Sequence, residues 1–210
     1  MPRDVRNLLR HLDAPKVRYR DLHATRAAPR RARRFSSIAV AGSSALAGNL
    51  ADAFAARGLR VAAFELDPHR PLPRSPRVTL IAFDDAPAAS TWELAVIDAG
   101  ARTQPLADAD EALVALRPRD DPTAIEAMLA KVRPSWRKSP ARYVLEQLDA
   151  GRPEDRAGLR LLRARLGPRL LEPPVHYEPA GGALFPPESQ AAADIAALAR
   201  ALFPAETRDV

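Results

Sequence analysis

The pattern of apolar positions writes a strand, a turn, a helix and a second strand into Ser37 to Pro68. Ile38 to Ala41 is a short β-competent run, Gly42-Ser43-Ser44 interrupts it, and Leu46, Leu50 and Phe54 then recur at helical spacing. Gly58 stops that helix, and Val61 to Leu66 is a second buried strand. The result is the opening βαβ unit of a mainly parallel α/β domain.

The same pattern continues downstream. Arg77 to Phe83, Trp92 to Asp98 and Glu111 to Arg117 read as further buried strands, and Asp120 to Val132 as a helix with Ile125, Met128, Leu129 and Val132 on one face. Tyr143 to Asp149 is another strand. Arg156 to Leu166 is a basic amphipathic helix carrying Leu159, Leu162 and Leu166, and Leu170 to Val175 a last short strand. Glu188 to Phe203 closes the domain as an alanine-rich helix with Ile195, Leu198 and Leu202 facing in. Pro68 to Pro76, with four prolines and three basic residues, is a connector.

Before the domain stands a leader of different character. Asp4 is an N-cap candidate, and Val5, Leu8, Leu9 and Leu12 fall at i, i+3, i+4 and i+7, one narrow apolar stripe on a two-turn helix too short to be stable alone. Asp13-Ala14-Pro15 ends it, Val17, Tyr19 and Leu22 continue as a turn-like segment, and Arg26, Arg30, Arg31, Arg33 and Arg34 follow in a basic stretch. The expected divisions are a helical leader over 1–24, a basic linker over 25–35 and a domain over 36–205.

Charge sharpens that division. The chain carries a formal net charge of +6, but residues 1–35 hold eleven Lys/Arg against three Asp, a balance of +8 that leaves the rest at −2. The basicity belongs to the leader, so a high isoelectric point is not evidence for a DNA-binding domain. No aromatics interleave with the arginines to stack single-stranded bases. Cysteine is absent, which excludes a disulfide framework, a thiolate nucleophile and a thiolate metal site. No apolar run reaches the ~20 residues of a membrane span, and the expected location is the cytoplasm, at the inner-membrane face through partners.

The chemistry at the first turn is the informative negative. A phosphate cradle needs several glycines, a lysine and a hydroxyl, so that N–H groups and cations converge on the anion. Here there is one glycine and no lysine. Nor does Ala-Gly-Ser-Ser-Ala make a nucleophile elbow. Ser43 and Ser44 are instead expected to cap the helix. The four histidines, His11, His23, His69 and His176, show no metal-ligand spacing, so no metal or cofactor is expected.

With Asn49-Leu50-Ala51 as anchor, the stretch resembles the MinD/ParA (SIMIBI-type) P-loop NTPases, whose first turn reads KGGVGKTT. That resemblance implies Ser43 at the position of the phosphate lysine, Ser44 at the magnesium-binding hydroxyl, and a loss of about five loop residues. It further implies Asp67-Pro68 at the family's acid after the second strand, Val96-Ile97-Asp98 at the Walker B strand, and the proline-rich connector where active members have switch-like segments. Ala109 to Val114, running into the strand from Glu111, matches the family's ADxVLVVxxPDxxS passage. Glu146 stands where an asparagine reads the adenine amino group, and a carboxylate cannot donate to that ring. The implied domain is a pseudo-ATPase with a mainly parallel sheet of about seven strands and a lost Walker A loop.

The leader resembles the BcsR-type segment of bacterial cellulose-synthesis accessory proteins through Asp4, Val5, Leu8, Pro15, Tyr19, Asp21 and Leu22. The passage from His176 and Tyr177 through Asp194, Ile195 and Leu198 to Leu202 is similar to the end of BcsQ-like proteins. Together these imply a non-catalytic scaffold of cellulose secretion that pairs with itself or with a BcsQ-like ATPase, using Val5, Leu8, Leu9, Leu12, Tyr19, Leu22, Arg30, Arg31, Arg33 and Arg34 for contact. The alternatives are a SulA/ImuA-like pseudo-ATPase regulator, a membrane- or DNA-binding adaptor that uses the arginine-rich leader, and a residual enzyme that binds nucleotide in a non-standard way.

Overall fold

The computed structural model describes residues 36–66, 71–81, 92–100, 109–121, 123, 127, 141–179 and 183–204. The leader and linker expectations therefore lie outside the described residues, as does Asp67. Seven strands form one sheet: β1 (Ser36–Ala41), β2 (Val61–Glu65), β3 (Thr79–Ile81), β4 (Leu94–Gly100), β5 (Glu111–Leu116), β6 (Arg142–Leu145) and β7 (Leu170–Leu171). Their order is β3-β2-β4-β1-β5-β6-β7, and every ladder among them is parallel. Parallel neighbours require crossovers, which place helices on both faces and bury strands such as β4 along their whole length.

Helix α1 (Ser44–Ala56) and helix α3 (Gln190–Leu202) cover one face, where Leu46, Leu50 and Phe54 meet Val40, Val96, Ile195 and Leu198. Helix α2 (Pro153–Leu166) covers the other face, where Leu162 and Leu166 pack with Ala39, Ile97, Tyr143 and Leu145. The alternation of residues along β1 assigns Ile38 and Val40 to the α1 side and Ala39 and Ala41 to the α2 side.

Several boundaries differ from the sequence expectation. The strand expected over Tyr143 to Asp149 stops at Leu145, because Gln147 adopts a left-handed φ of 59° that a parallel ladder cannot continue. Leu148 then pairs with His176 in an isolated bridge. The basic helix starts at Pro153 rather than Arg156, since proline suits the first turn and Glu154 and Asp155 favour the positive end of the helix dipole. The helix expected from Asp120 starts after Asp121, whose Oδ1 accepts the Thr123 N–H at 2.8 Å; Thr123 and Ala127 are helical. The last strand ends at Leu171 and not at Val175.

The proline-rich connector is seated on α1. Leu72 is buried, its N–H donating to Glu65 Oε2 at 3.2 Å, and the Ser75 hydroxyl donates to Asp52 Oδ1 at 2.5 Å. Pro73 lies directly over Gly48, where an added Cβ would come within 2.5 Å of its Cδ. A glycine in mid-helix, otherwise unfavourable, is here what lets the connector approach.

Candidate functional site

In an open parallel sheet, binding sites form beyond the carboxyl ends of the strands, where the order reverses direction. In this chain that place lies at the ends of β1 and β4 and the head of α1. Only Gly42 and Ser43 separate β1 from α1. The Gly42 N–H is already used, donating to the Gly100 carbonyl at 3.1 Å. Gly42 has a φ of 91°, and an added Cβ would stand 3.1 Å from the Ala115 carbonyl oxygen, so only glycine fits without strain.

Ser43 is the N-cap of α1: its extended backbone leaves the hydroxyl oxygen to accept the Leu46 N–H at 3.1 Å. Ser44 is the first helical residue and half-buried. The Ser43 hydroxyl is near enough to the Glu146 carboxyl, which arrives from the end of β6, to favour its charged form. Glu146 is 6% exposed, its own N–H held by the Leu116 carbonyl at 2.8 Å. Burial pushes its carboxyl above the usual carboxylate range; the nearby Ser43 hydroxyl and the Arg117 guanidinium, 4.0 Å away, oppose that shift, and Asp120 adds to it. The left-handed Gln147 follows immediately, a local strain that fixes the direction from which Glu146 enters.

Asp98 is completely buried in β4, in register with Val40 and Glu65 and on the α1 side of the sheet with Leu94 and Val96. Its Oδ1 accepts the Gly100 N–H at 3.0 Å, a local turn in which Gly100 takes a φ of 55°. The head of α1 therefore has a hydroxyl, a backbone turn and the Glu146 carboxyl beside it, while Asp98 lies on the same side of the sheet in β4. Among the described residues, no group of three His, Cys, Asp or Glu is placed to hold a metal ion.

No known protein family matches the chain by sequence profile, and no curated protein matches it in sequence. Solved structures do match in fold. Cobyrinic acid a,c-diamide synthase from Mycobacterium smegmatis, solved with ADP and magnesium, superposes with a TM-score of 0.60 at 16% identity, over 80% of this chain and 94% of that one. The MinD cell division protein of Aquifex aeolicus gives 0.57 at 14% identity, over 80% of this chain and 96% of that one. A partition protein gives 0.54 at 14% identity, over 80% and 71%. The fold is that of the MinD/ParA-type P-loop NTPases.

Within this fold the structure brings Ser43 and Glu146, 103 positions apart in sequence, close together. Asp98 stands on the same side of the sheet as α1, whereas Asp67 lies outside the described residues. His176 belongs to a separate polar cluster: its backbone N–H and its Nδ1 both meet Asp194 Oδ2, at 3.0 and 2.7 Å, and Gln190 Nε2 donates to Asp194 Oδ1 at 2.9 Å. Asp194 is 3% exposed and ties α3 to the segment after β7.

Asn49 has a role beyond that of an alignment anchor. Its Nδ2 donates to the Ala45 carbonyl at 2.9 Å, and its Oδ1 accepts the Phe185 N–H at 2.8 Å, so a buried amide clips the segment before α3 onto α1. The signal was a polar residue inside an apolar helical stripe, beside Leu46 and Leu50. Asp155 is similar: it is buried at the start of α2, accepts the Asp149 N–H at 3.1 Å and pairs with Arg119 at 3.3 Å, joining the loops after β5 and β6.

Proposed function

We propose that this chain is a non-catalytic accessory protein of bacterial cellulose synthesis and secretion, a pseudo-ATPase whose MinD/ParA-type domain binds other secretion components rather than turning over nucleotide. The observation that carries the non-catalytic reading is the two-residue turn from β1 to α1, beside which the buried Glu146 carboxyl stands. The N-terminus of a helix attracts anions through its free N–H groups and dipole. Here a carboxylate of the chain itself occupies the approach to α1, and a phosphate drawn to the same place would meet a like charge within a low-dielectric site. The two-residue connection from β1 to α1 leaves no loop to wrap a phosphate, and Gly42 has already spent its N–H on Gly100.

The assignment to cellulose secretion is supported by the likeness of the leader to BcsR-type segments and by its fusion to a MinD/ParA-type fold. The proposed partner is a BcsQ-like ATPase or a second copy of the chain, met through the face at the head of α1, with the leader stripe Val5, Leu8, Leu9 and Leu12 docking on that partner.

A second reading, nucleotide binding in a non-standard way, is favoured by the fully buried Asp98 on the α1 side of β4. It requires the Glu146 carboxylate to withdraw from Ser43.

Light scattering of the purified chain, alone and mixed with a MinD-like ATPase from the same organism, with and without ATP, tests the scaffold reading. A stable hetero-complex, weakened by deletion of residues 1–24, is the expected result. A monomer indifferent to that ATPase would overturn the partner assignment.

A further inference from the structure

Helix α2 turns Asp155, Leu162 and Leu166 inward. Its outer surface is exposed over Ala157, Leu161 and Ala164, which share one side of the helix, and Leu161 is 57% exposed, one of two large exposed hydrophobic residues among the described residues. Arginines flank this seam, Arg156 and Arg160 on one side and Arg165 on the other. Other arginines of the region are neutralised: Arg163 forms a two-pronged pair with Glu172 at 2.6 and 3.0 Å, and Arg152 meets Asp149 at 2.9 Å. Among the described residues Arg156 donates only to the Ala150 carbonyl, and Arg160 and Arg165 have no carboxylate partner.

We infer that this face of α2 docks an acidic amphipathic helix of a partner protein, with Leu161 at the centre of the contact and Arg156, Arg160 and Arg165 paired to flanking carboxylates. Small residues at Ala157 and Ala164 admit the close axial approach of two packed helices, about 8–10 Å. Charge excludes the nearest competitors. A second copy related by a two-fold axis would set arginine against arginine, and the chain's own leader, at +8, is repelled by the same surface. An anionic bilayer is a poor fit, because membrane-surface helices insert a broad apolar face and this seam offers one leucine between two alanines. Carboxylates flanking a narrow apolar stripe supply the complementary pattern. The inference goes beyond the proposed function and does not rest on it, since α2 packs on the opposite face of the sheet from α1.

The test uses the full chain and fluorescence anisotropy with a synthetic helical peptide whose leucine–alanine stripe is flanked by glutamates, with and without MgATP. A peptide with lysines in place of the glutamates, phosphatidylserine-containing vesicles and a DNA duplex are run in parallel. Leu161→Glu and the double variant Arg160→Glu/Arg165→Glu alter exposed side chains only, and circular dichroism verifies their fold. The acidic peptide is expected to bind saturably, each variant to weaken it by at least about tenfold, and ATP to leave that dependence unchanged. Peptide affinity equal in the parent and both variants would assign the binding to the basic leader and overturn the inference. Vesicle or duplex binding abolished by the variants, with no binding of the acidic peptide, would overturn it equally.

Discussion

The hydroxyl of Ser43, at the head of α1, stands beside the buried carboxyl of Glu146, at the end of β6, and favours its charged form. The same hydroxyl oxygen accepts the Leu46 N–H, so the helix cap and the turn after β1 meet the end of β6 at one place. A helix N-terminus favours negative charge beside it, and burial opposes it.

The pH dependence of stability follows from Glu146. Its folded carboxyl holds a proton to a higher pH than the ordinary 4.5, chiefly through burial. The folded state then binds more protons than the unfolded one between 4.5 and the raised value, so this contribution is fully present below 4.5 and is lost as pH rises through the folded value. Glu146→Gln keeps an acceptor for Ser43 without the buried charge. Urea unfolding is expected to show the variant gaining on the native chain at neutral pH, with the gain shrinking under acidic conditions. A variant that loses more stability at neutral than at acidic pH would contradict the assignment.

Gly48→Ala tests the seat of the connector. Helix propensity alone would favour alanine by up to about 1 kcal/mol, but the new Cβ would meet Pro73 Cδ at 2.5 Å. The expected net effect is a loss of about 1–3 kcal/mol, the usual cost of overpacking. Pro73→Gly in the same background should recover part of it, a non-additivity measurable by a double-mutant cycle in urea. Strictly additive effects would mean the two residues do not touch.

Asn49→Ala removes the acceptor of the part-buried Phe185 N–H. A loss of about 1–3 kcal/mol is expected from stranding that donor. Hydrogen exchange at the Phe185 amide should accelerate more than at the Leu50 amide in the middle of α1, and equal acceleration at both would indicate general loosening instead.

Asp194 holds three donors, and the resulting geometry fixes the tautomer of His176. With Nδ1 donating to Asp194 Oδ2, neutral His176 should carry its proton on Nδ1. Nitrogen NMR of the ring reports this directly, and Asp194→Ala should release the preference together with the end of α3.

Most of the sheet was legible because a parallel strand buried on both faces writes an apolar run, as Val61 to Glu65 and Leu94 to Gly100 do. The fold class followed from those runs alternating with helical periods. What escaped was set by contacts between distant positions. Nothing local in Tyr143 to Asp149 announces that Gln147 turns left-handed, and nothing in the connector announces that Pro73 needs Gly48 beneath it. At the candidate site the residue types of Ser43, Asp98 and Glu146 were readable one by one, and the missing loop glycines and lysine were plain. That Glu146 reaches back to Ser43 was not, because the sheet order that sets β1 and β6 on either side of β5 is a property of the whole chain.

The central claim, that Glu146 and the two-residue turn have replaced nucleotide at the head of α1, is tested most directly by isothermal titration of the full chain with MgATP. No saturable heat is expected in the native chain. Saturable micromolar binding, lost in Asp98→Asn, would contradict the pseudo-ATPase account and establish the second, nucleotide-binding reading in its place.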